Sequence, residues 1–199
     1  MKLFAPIFQR VSRIRGFHYF LTRYGSPHIK KICFNEKFTS GEWHFDRKPG
    51  DELSTIIECK AGKGKILILG CGAARLCQVL PEDCYESILG IDISTVAIEE
   101  ARKHAKSKMK FIAADILSYK YEDVYNVILF SESIYYLTKG DRQKLLQTCK
   151  KQLSQKGVII VTIAEPQRYK NILHEIREQS QVFEDRTFQE SKQHLIIFR

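Results

Sequence analysis

Residues 65–75 read KILILGCGAAR, a short apolar run that ends in two closely spaced glycines. The run has the length and composition of a strand that is buried on both faces, as in a parallel sheet. Gly70 and Gly72 allow a sharp turn and let a ligand approach main-chain N–H groups, and the N-terminus of the helix that follows favours a negative group. This stretch therefore predicts the first strand, loop and helix of a nucleotide-type binding unit.

On the C-terminal side of this stretch, short apolar runs alternate with helical patterns, which is typical of βαβ units around a parallel sheet. Helices are expected after Ser94, after a cap at Asp141 and over residues 167–178. The polar turn at 189–193 separates two last strand-like runs and predicts a hairpin. We therefore expect an α/β fold with a seven-stranded, mostly parallel sheet, closed by a C-terminal antiparallel hairpin and covered by helices on both faces. The predicted strands are Lys65–Leu69, Ser87–Ile91, Lys110–Ala113, Val124–Phe130, Gly157–Ile163, Gln181–Phe188 and His194–Phe198.

A carboxylate follows each of the next two strands. Asp92 lies twenty residues past the second loop glycine, where it can accept hydrogen bonds from both hydroxyls of a ribose. Asp115 is placed to accept from an exocyclic adenine amine, with Ile116 beside the ring, or alternatively to cap a helix. Arg75 stands where a dinucleotide loop has its third glycine, which disfavours NAD. Together these features favour a nucleoside without a pyrophosphate.

These motifs resemble those of the class I S-adenosylmethionine-dependent methyltransferases over residues 41–199. The resemblance is carried by GCG at 70–72, GIDIS at 90–94 and ADI at 114–116. More narrowly, SESIYYL at 131–137 is similar to the A-E-V-L-Y-Y-L segment of the NodS-type nodulation N-methyltransferases, whose acceptor is the amine of a glucosamine residue. The resemblance implies a Rossmann-like fold, S-adenosylmethionine as cofactor, S-adenosylhomocysteine as product and no metal. The implied cofactor contacts are Trp43, Gly70, Cys71, Gly72, Ala73, Asp92, Ile93, Asp115, Ile116 and Ser131.

Two positions depart from the pattern of the class. Ile68 stands where an acid usually precedes the loop, and Ala74 replaces the last loop glycine. Glu132 or backbone carbonyls are then expected to hold the methionine amine in place of the usual carboxylate.

The acceptor is expected beside the segment after the fourth strand, because ligands of open α/β sheets bind at the carboxyl ends of the strands. Glu132, Tyr135 and His44 are the candidate catalytic residues, and Tyr135 and Tyr136 are candidate contacts to a small-molecule or glycan acceptor. The alternative is that one tyrosine is core and Glu132 caps a helix. Methyl transfer is an in-line displacement, so alignment suffices for an amine that is unprotonated, whereas an alcohol needs a base. The segment lacks the [DN]-P-P-[YF] sequence of base methylation, so a nucleic-acid partner is disfavoured.

Residues 1–50 are predicted to form a basic amphipathic helical segment and lid, ahead of the cofactor-binding domain at 51–199. Residues 1–35 carry seven basic side chains and no acid, whereas the rest of the chain has 25 basic and 23 acidic side chains. The helix, expected to extend to residue 24, either packs on the domain, contacts an anionic substrate or membrane surface, or serves as a presequence. Trp43 either closes over the site or packs against the domain.

Composition excludes several classes of protein. No apolar run approaches the roughly 18 residues that cross a bilayer, and arginines interrupt any secretory signal. The six cysteines show no C-x-x-C pair and no zinc spacing, which predicts reduced thiols and a cytoplasmic protein, soluble or peripheral to a membrane. Two other functions stay open: a catalytically silent binding module of the same fold, and an NAD-dependent oxidoreductase.

Overall fold

The computed structural model describes residues 15–43 and 51–199, which build a seven-stranded sheet in the order β3-β2-β1-β4-β5-β7-β6. The first five strands run parallel, and β7 pairs antiparallel with both β5 and β6. The predicted fold class is therefore confirmed. The strands are β1 Lys65–Leu69, β2 Ser87–Asp92, β3 Met109–Ala113, β4 Tyr125–Ser131, β5 Leu153–Ile163, β6 Val182–Thr187 and β7 His194–Phe198.

Helices cover both faces of the sheet. They are α1 Arg15–Tyr24, α2 Pro27–Thr39, α3 Asp51–Ala61, α4 Arg75–Val79, α5 Thr95–Lys103, α6 Lys139–Lys151 and α7 Lys170–Gln179, with a 3₁₀ turn at Ile134–Tyr136. The side chains of β1 alternate between two cores: Ile66 and Ile68 pack with α3 and α5, and Leu67 and Leu69 pack with α6 and α7. A strand buried on both faces explains why residues 66–69 are uninterruptedly apolar.

Three boundaries differ from the prediction by three residues or more, and one of them is the start of α7, which begins at Lys170 rather than at residue 167. The helix that was expected to begin with a cap at Asp141 begins at Lys139, because the hydroxyl of Thr138 accepts from the Asp141 N–H at 3.2 Å. Asp141 instead lies in the first turn, where a carboxylate also favours the helix. β5 begins at Leu153 rather than Gly157: Leu153 pairs with Tyr125, and the strand is irregular before it resumes. Residues 154–156 are polar, so the apolar run that predicted the strand begins only after them.

The N-terminal segment contains two described helices, and the first ends at residue 24, where the predicted basic helix was expected to end. α1 ends at Tyr24, and α2 begins at Pro27 after two intervening residues, Gly25 and the cap residue Ser26. The break is tight, because a Cβ on Gly25 would lie 2.4 Å from the Leu21 carbonyl. Helix α2 was not predicted, and neither was α3. Residues 1–14, which hold most of the predicted basic helix, lie outside the described residues, and the division at residue 50 stays a prediction.

Helix α2 is fixed to the sheet domain through the start of α5. The side chain of Asn35 accepts from the Ser94 hydroxyl at 2.8 Å and donates to the Thr95 hydroxyl at 3.3 Å. Ser94 is also the predicted cap of α5, since its hydroxyl accepts from the Ala97 N–H at 3.1 Å. In the described part of the predicted helix, the Tyr19 hydroxyl of α1 donates to the Tyr135 carbonyl at 3.4 Å. The choice among packing, surface contact and presequence for the whole helix stays a prediction.

Candidate active site

A cavity of about 1360 Å³ opens at the carboxyl ends of β1, β2 and β4, roofed by α2 and by the β6–β7 loop. All the predicted cofactor and acceptor residues within the described ranges line it. They are Trp43, Gly70, Cys71, Gly72, Ala73, Asp92, Ile93, Asp115, Ile116, Ser131, Glu132, Tyr135 and Tyr136. His44, the third candidate catalytic residue, lies outside the described residues.

The glycine loop depends on three left-handed residues. Gly70 has φ +75°, Gly72 has φ +54°, and Ala74 keeps φ +53° although it carries a side chain. Gly70 is further constrained by its neighbour, because an added Cβ would lie 2.5 Å from the Cβ of Ser133. Ala74 therefore adopts the left-handed conformation that a glycine at this position would favour.

Asp92 joins this loop to helix α5. One carboxylate oxygen accepts from the Gly72 N–H at 2.9 Å, and the other accepts from the Ser94 N–H at 2.8 Å. Burial raises the pKa of Asp92 above its usual value, although these two hydrogen bonds act in the opposite direction. A carboxylate oxygen can accept more than one hydrogen bond, and Asp92 lines the cavity, so the side chain can organise the loop and also accept from a ribose. The ribose contact itself stays a prediction.

Asp115 also has a local partner. Its carboxylate accepts from the Leu117 N–H at 3.0 Å, which closes a turn after β3. The capping alternative is thus realised as a turn rather than a helix, and Asp115 lines the cavity together with Ile116. Asp115 follows β3 and Glu132 follows β4, and the two strands that lie between them in the sheet leave room for an extended ligand.

Glu132 lies at the end of β4 with φ +55°, a strained conformation for a residue with a side chain. One oxygen accepts from the Ala164 N–H at 2.8 Å and the Tyr135 hydroxyl at 3.2 Å, and the other accepts from the Gln193 amide at 3.2 Å. Burial nevertheless raises the pKa of Glu132 to about 7. Glu132 does not cap the 3₁₀ turn that follows, in contrast to the capping alternative. A carboxyl group with a pKa near neutrality can exchange a proton with a ligand at physiological pH.

The two tyrosines have different surroundings. The ring of Tyr135 stacks on Tyr169 with centroids 4.4 Å apart and planes at 6°. The ring of Tyr136 meets Phe34 edge-on at 5.1 Å and lies 6.0 Å from Trp43. Burial raises the pKa of both phenols above its usual range, which leaves them neutral hydrogen-bonding groups. Both rings are partly buried and both line the cavity, so neither is purely a core residue.

Trp43 packs and lines the cavity at the same time. Its ring lies 5.4 Å from Phe34 and 5.2 Å from Phe38, both on α2. Phe38 in turn reaches the glycine loop, since an added Cβ on Gly72 would lie 3.3 Å from the Phe38 ring. The aromatic cluster of Phe34, Phe38, Trp43 and Tyr136 therefore connects the N-terminal helices to both ends of the site.

The sequence did not identify two parts of the cavity wall. One is the part of α2 that carries Phe34 and Phe38, because the sequence of this helix shows no clear amphipathic pattern. The other is the β6–β7 loop at 188–193. Gln193 of that loop contacts Glu132 directly. The available signal was the polar turn between the last two strands, but only the antiparallel return of β7 beside β5 places that turn at the site.

The described residues include no group of three or more histidine, cysteine, aspartate or glutamate side chains that could hold a metal ion. Among the same residues no helix has the length and apolar character needed to cross a membrane.

Comparison with known proteins assigns the family. The family model of a methyltransferase domain matches residues 61–195, so the chain belongs to this family. The NodS N-methyltransferase of Bradyrhizobium japonicum WM9, solved in complex with S-adenosylhomocysteine, has the same fold, with a TM-score of 0.68 and 19% identity. The match covers 85% of this chain and 97% of that chain. The predicted class, the enzyme assignment and the likeness to NodS are confirmed, and the ligand of that structure agrees with the predicted cofactor. The oxidoreductase alternative is set aside.

Curated relatives match about half of the chain. The eEF1A lysine and N-terminal methyltransferase of Bos taurus is 27% identical over 100 residues, which are 48% of this chain and 14% of that protein. Phosphoethanolamine N-methyltransferase of Plasmodium falciparum is 30% identical over 101 residues, which are 49% of this chain and 38% of that protein. This chain therefore corresponds to only part of the length of these relatives, whose names describe two unlike acceptors.

Proposed function

We propose that the protein transfers the methyl group of S-adenosylmethionine to the amine of a small-molecule or glycan acceptor, with an amino sugar as the preferred class. The observation that carries the proposal is the position of Glu132 and its tyrosines in the same cavity as the glycine loop and Asp92. The cofactor, when bound, supplies an electrophilic methyl group. The protein has to hold the acceptor in line with that group and exclude water.

The cavity residues fit the parts of the cofactor in order along the strand ends. Asp115 and Ile116 are proposed to hold the adenine, and Asp92 the ribose hydroxyls. The loop at 70–73 and Ser131 are proposed to contact the amino acid end of the cofactor. Ile68 provides no carboxylate there and lines the cavity with an apolar side chain. The methionine amine is therefore proposed to bind backbone carbonyls of the loop.

Glu132 is then available for the acceptor. An amine acceptor arrives protonated and must lose a proton before its lone pair can attack. A carboxylate whose pKa is about 7 can take that proton at physiological pH, whereas an ordinary carboxylate is too weak a base. The Tyr135 hydroxyl, which donates to the same carboxylate, and the Tyr136 ring offer the polar and apolar contacts that a sugar needs.

The test is a panel of acceptors that differ only at the reacting atom. We expect release of S-adenosylhomocysteine with glucosamine or a chitosan oligosaccharide, and none with the matched hydroxyl sugars, glucose and cellooligosaccharide. Phosphoethanolamine and a lysine peptide are included because they represent the acceptors of the curated relatives. Turnover on the hydroxyl sugars alone would overturn the assignment to an amine.

Calorimetric titration with S-adenosylhomocysteine and with NAD tests the cofactor separately. We expect saturable binding of the first and none of the second. Binding of S-adenosylhomocysteine without turnover of any acceptor in the panel would favour the silent binding module, whereas failure to bind would overturn the proposed cofactor.

A further inference from the structure

A second cavity, of about 560 Å³, lies between the end of α1, the first turn of α6 and the length of α7. It shares no lining residue with the candidate active site. Four cationic side chains from three separate segments of the chain converge on it. They are Arg23, Lys139, Arg142 and Arg168.

The acidic side chains of the lining are fewer and partly engaged. Arg142 forms an ion pair with Glu175, and both side chains are at least nine-tenths buried. Glu178 is the second carboxylate of the lining. Arg168 also bonds to Glu165, which lies outside the cavity, at 2.8 Å. The lining therefore keeps an excess of positive charge, which favours an anionic ligand.

Buried polar atoms in this lining lack partners among the described residues. The Nε atoms of Arg23 and Arg142 are buried and have no hydrogen-bond partner there. Both arginines line the cavity, and the side chain of Arg142 is only 4% exposed. A buried donor without an acceptor is costly, and a ligand oxygen would satisfy it.

One oxygen of Glu175 is buried without a partner as well, next to its ion pair with Arg142. A carboxylate oxygen in this position needs a donor, so the complementary ligand carries an O–H group together with its negative oxygens. Hydrogen phosphate and a singly protonated phosphate monoester have both, whereas sulfate has acceptors alone.

The start of α7 adds to the positive field. Its first turn contributes Asn171 to the lining, and Tyr169 at the cap position provides no side-chain acceptor for the free N–H groups. An uncapped helix N-terminus next to arginine side chains attracts phosphate oxygens.

We propose that this second cavity binds hydrogen phosphate or a phosphate monoester, held by Arg23, Arg142 and Arg168 and by the donor requirement of Glu175. Tyr169 lines this cavity and stacks on Tyr135, which lines the active site. An occupied site therefore lies one aromatic ring away from the proposed acceptor contact. Phosphate binding at the second cavity does not depend on the proposed function, whereas an effect of phosphate on methyl transfer would depend on it.

Calorimetric titration at constant ionic strength, with inorganic phosphate, glycerol 3-phosphate and sulfate as probes, tests the site. We expect saturable binding of phosphate or of glycerol 3-phosphate, and at least tenfold weaker binding of sulfate. Preference for inorganic phosphate would identify the free ion as the ligand, and preference for glycerol 3-phosphate a monoester. Equal affinity for sulfate, or no saturable binding of either phosphate compound, would overturn the proposal.

Two variants locate the binding. Arg23→Gln and Arg168→Gln each remove one cation that is not fully buried, and each is expected to weaken phosphate binding about tenfold or more through loss of a charge-assisted hydrogen bond. Lys144→Gln, at an exposed position of α6 outside the cavity, is the charge-matched control and should bind phosphate as the wild type does. Equal phosphate affinity in all three variants would place the anion elsewhere and overturn the site. Parallel titrations with S-adenosylhomocysteine should be unchanged in every variant, which separates this result from the test of the cofactor.

Discussion

At the scale of single residues, the site depends on carboxylates that have structural and chemical partners at once. Asp92 holds the glycine loop and the start of α5 through two backbone N–H groups. Glu132 is held by three donors from three segments of the chain. Substitution of either residue therefore changes local structure as well as ligand binding, and an experiment has to measure both.

Asp92→Ala is expected to weaken S-adenosylhomocysteine binding by about 10- to 100-fold, which corresponds to loss of hydrogen bonds to a charged group worth roughly 1.5–3 kcal/mol. The free energy of unfolding should also fall by about 1–3 kcal/mol, because the Gly72 and Ser94 N–H groups lose their acceptor. Calorimetric titration and urea unfolding measure the two effects. Asp123→Ala, which removes an exposed carboxylate paired with Lys65, is the control and should leave the affinity unchanged. A folded Asp92→Ala protein with wild-type affinity would contradict the ribose contact.

Glu132 gives the stability of the protein a definite pH dependence. Its pKa rises from 4.5 to about 7 on folding, so between these pH values the folded state keeps a proton that the unfolded state has lost. The contribution of this group to the free energy of unfolding is therefore complete below pH 4.5 and is lost as the pH rises through about 7, by about 3 kcal/mol in all. Above that range both states are ionised and the dependence ends.

Urea unfolding of the wild type and of Glu132→Gln at a series of pH values tests this dependence. The wild type should lose stability relative to the variant as the pH rises from about 5 to 8, because glutamine does not titrate. Glu122→Gln, at an exposed position, is the control and should follow the wild type. Parallel pH curves for the wild type and Glu132→Gln would show that the carboxyl group is not held in a pKa-raising environment.

At the scale of elements, the glycine loop after β1 is the part of the fold that tolerates least change. Gly70→Ala places a side chain on a left-handed residue and within 2.5 Å of Ser133. The two effects together should cost roughly 2–5 kcal/mol of unfolding free energy. Gly140→Ala is the matched control: Gly140 lies in the first turn of α6 with nothing within 4 Å of an added Cβ. There we expect a gain of up to about 1 kcal/mol. Urea unfolding measures both, and equal effects of the two substitutions would contradict the strained loop.

The sequence predicted best those features that the residues of a single strand determine by themselves. Strands β1, β2 and β4 are short, largely apolar runs whose burial on both faces follows from their composition. The loop glycines, Asp92 and the Glu132 segment follow these strands directly, so their shared edge of the sheet could be inferred from topology alone.

Contacts between distant segments were not accessible in this way. Thr138 rather than Asp141 caps α6, because two suitable capping residues stand three positions apart and the backbone decides between them. The contact of Gln193 with Glu132 joins residues 61 positions apart. Helix α2 has no marked apolar side, and its place above the glycine loop depends on Asn35 and on aromatic rings that meet only in the folded chain.

At the scale of the whole molecule, α1 and α2 act as one wall of the cavity rather than as a separate unit. Helix α2 meets α5 through Asn35, meets the glycine loop through Phe38 and meets Tyr136 through Phe34. Trp43, at the end of this wall, is the one tryptophan of the chain. Its fluorescence therefore reports on the closure of the cavity without any added label.

Asn35→Ala tests this coupling. The substitution removes the hydrogen bonds to the Ser94 and Thr95 hydroxyls and should loosen α2 by about 1–3 kcal/mol of local free energy. We expect the Trp43 emission to shift to longer wavelength, since its ring gains solvent. S-adenosylhomocysteine should bind about 5- to 100-fold more weakly, because Phe38 leaves the loop in part of the population. His28→Ala, at an exposed position of the same helix, should change neither property. If Asn35→Ala shifts the emission but binds S-adenosylhomocysteine as tightly as the wild type, the N-terminal helices cover the cavity without contributing to the cofactor site.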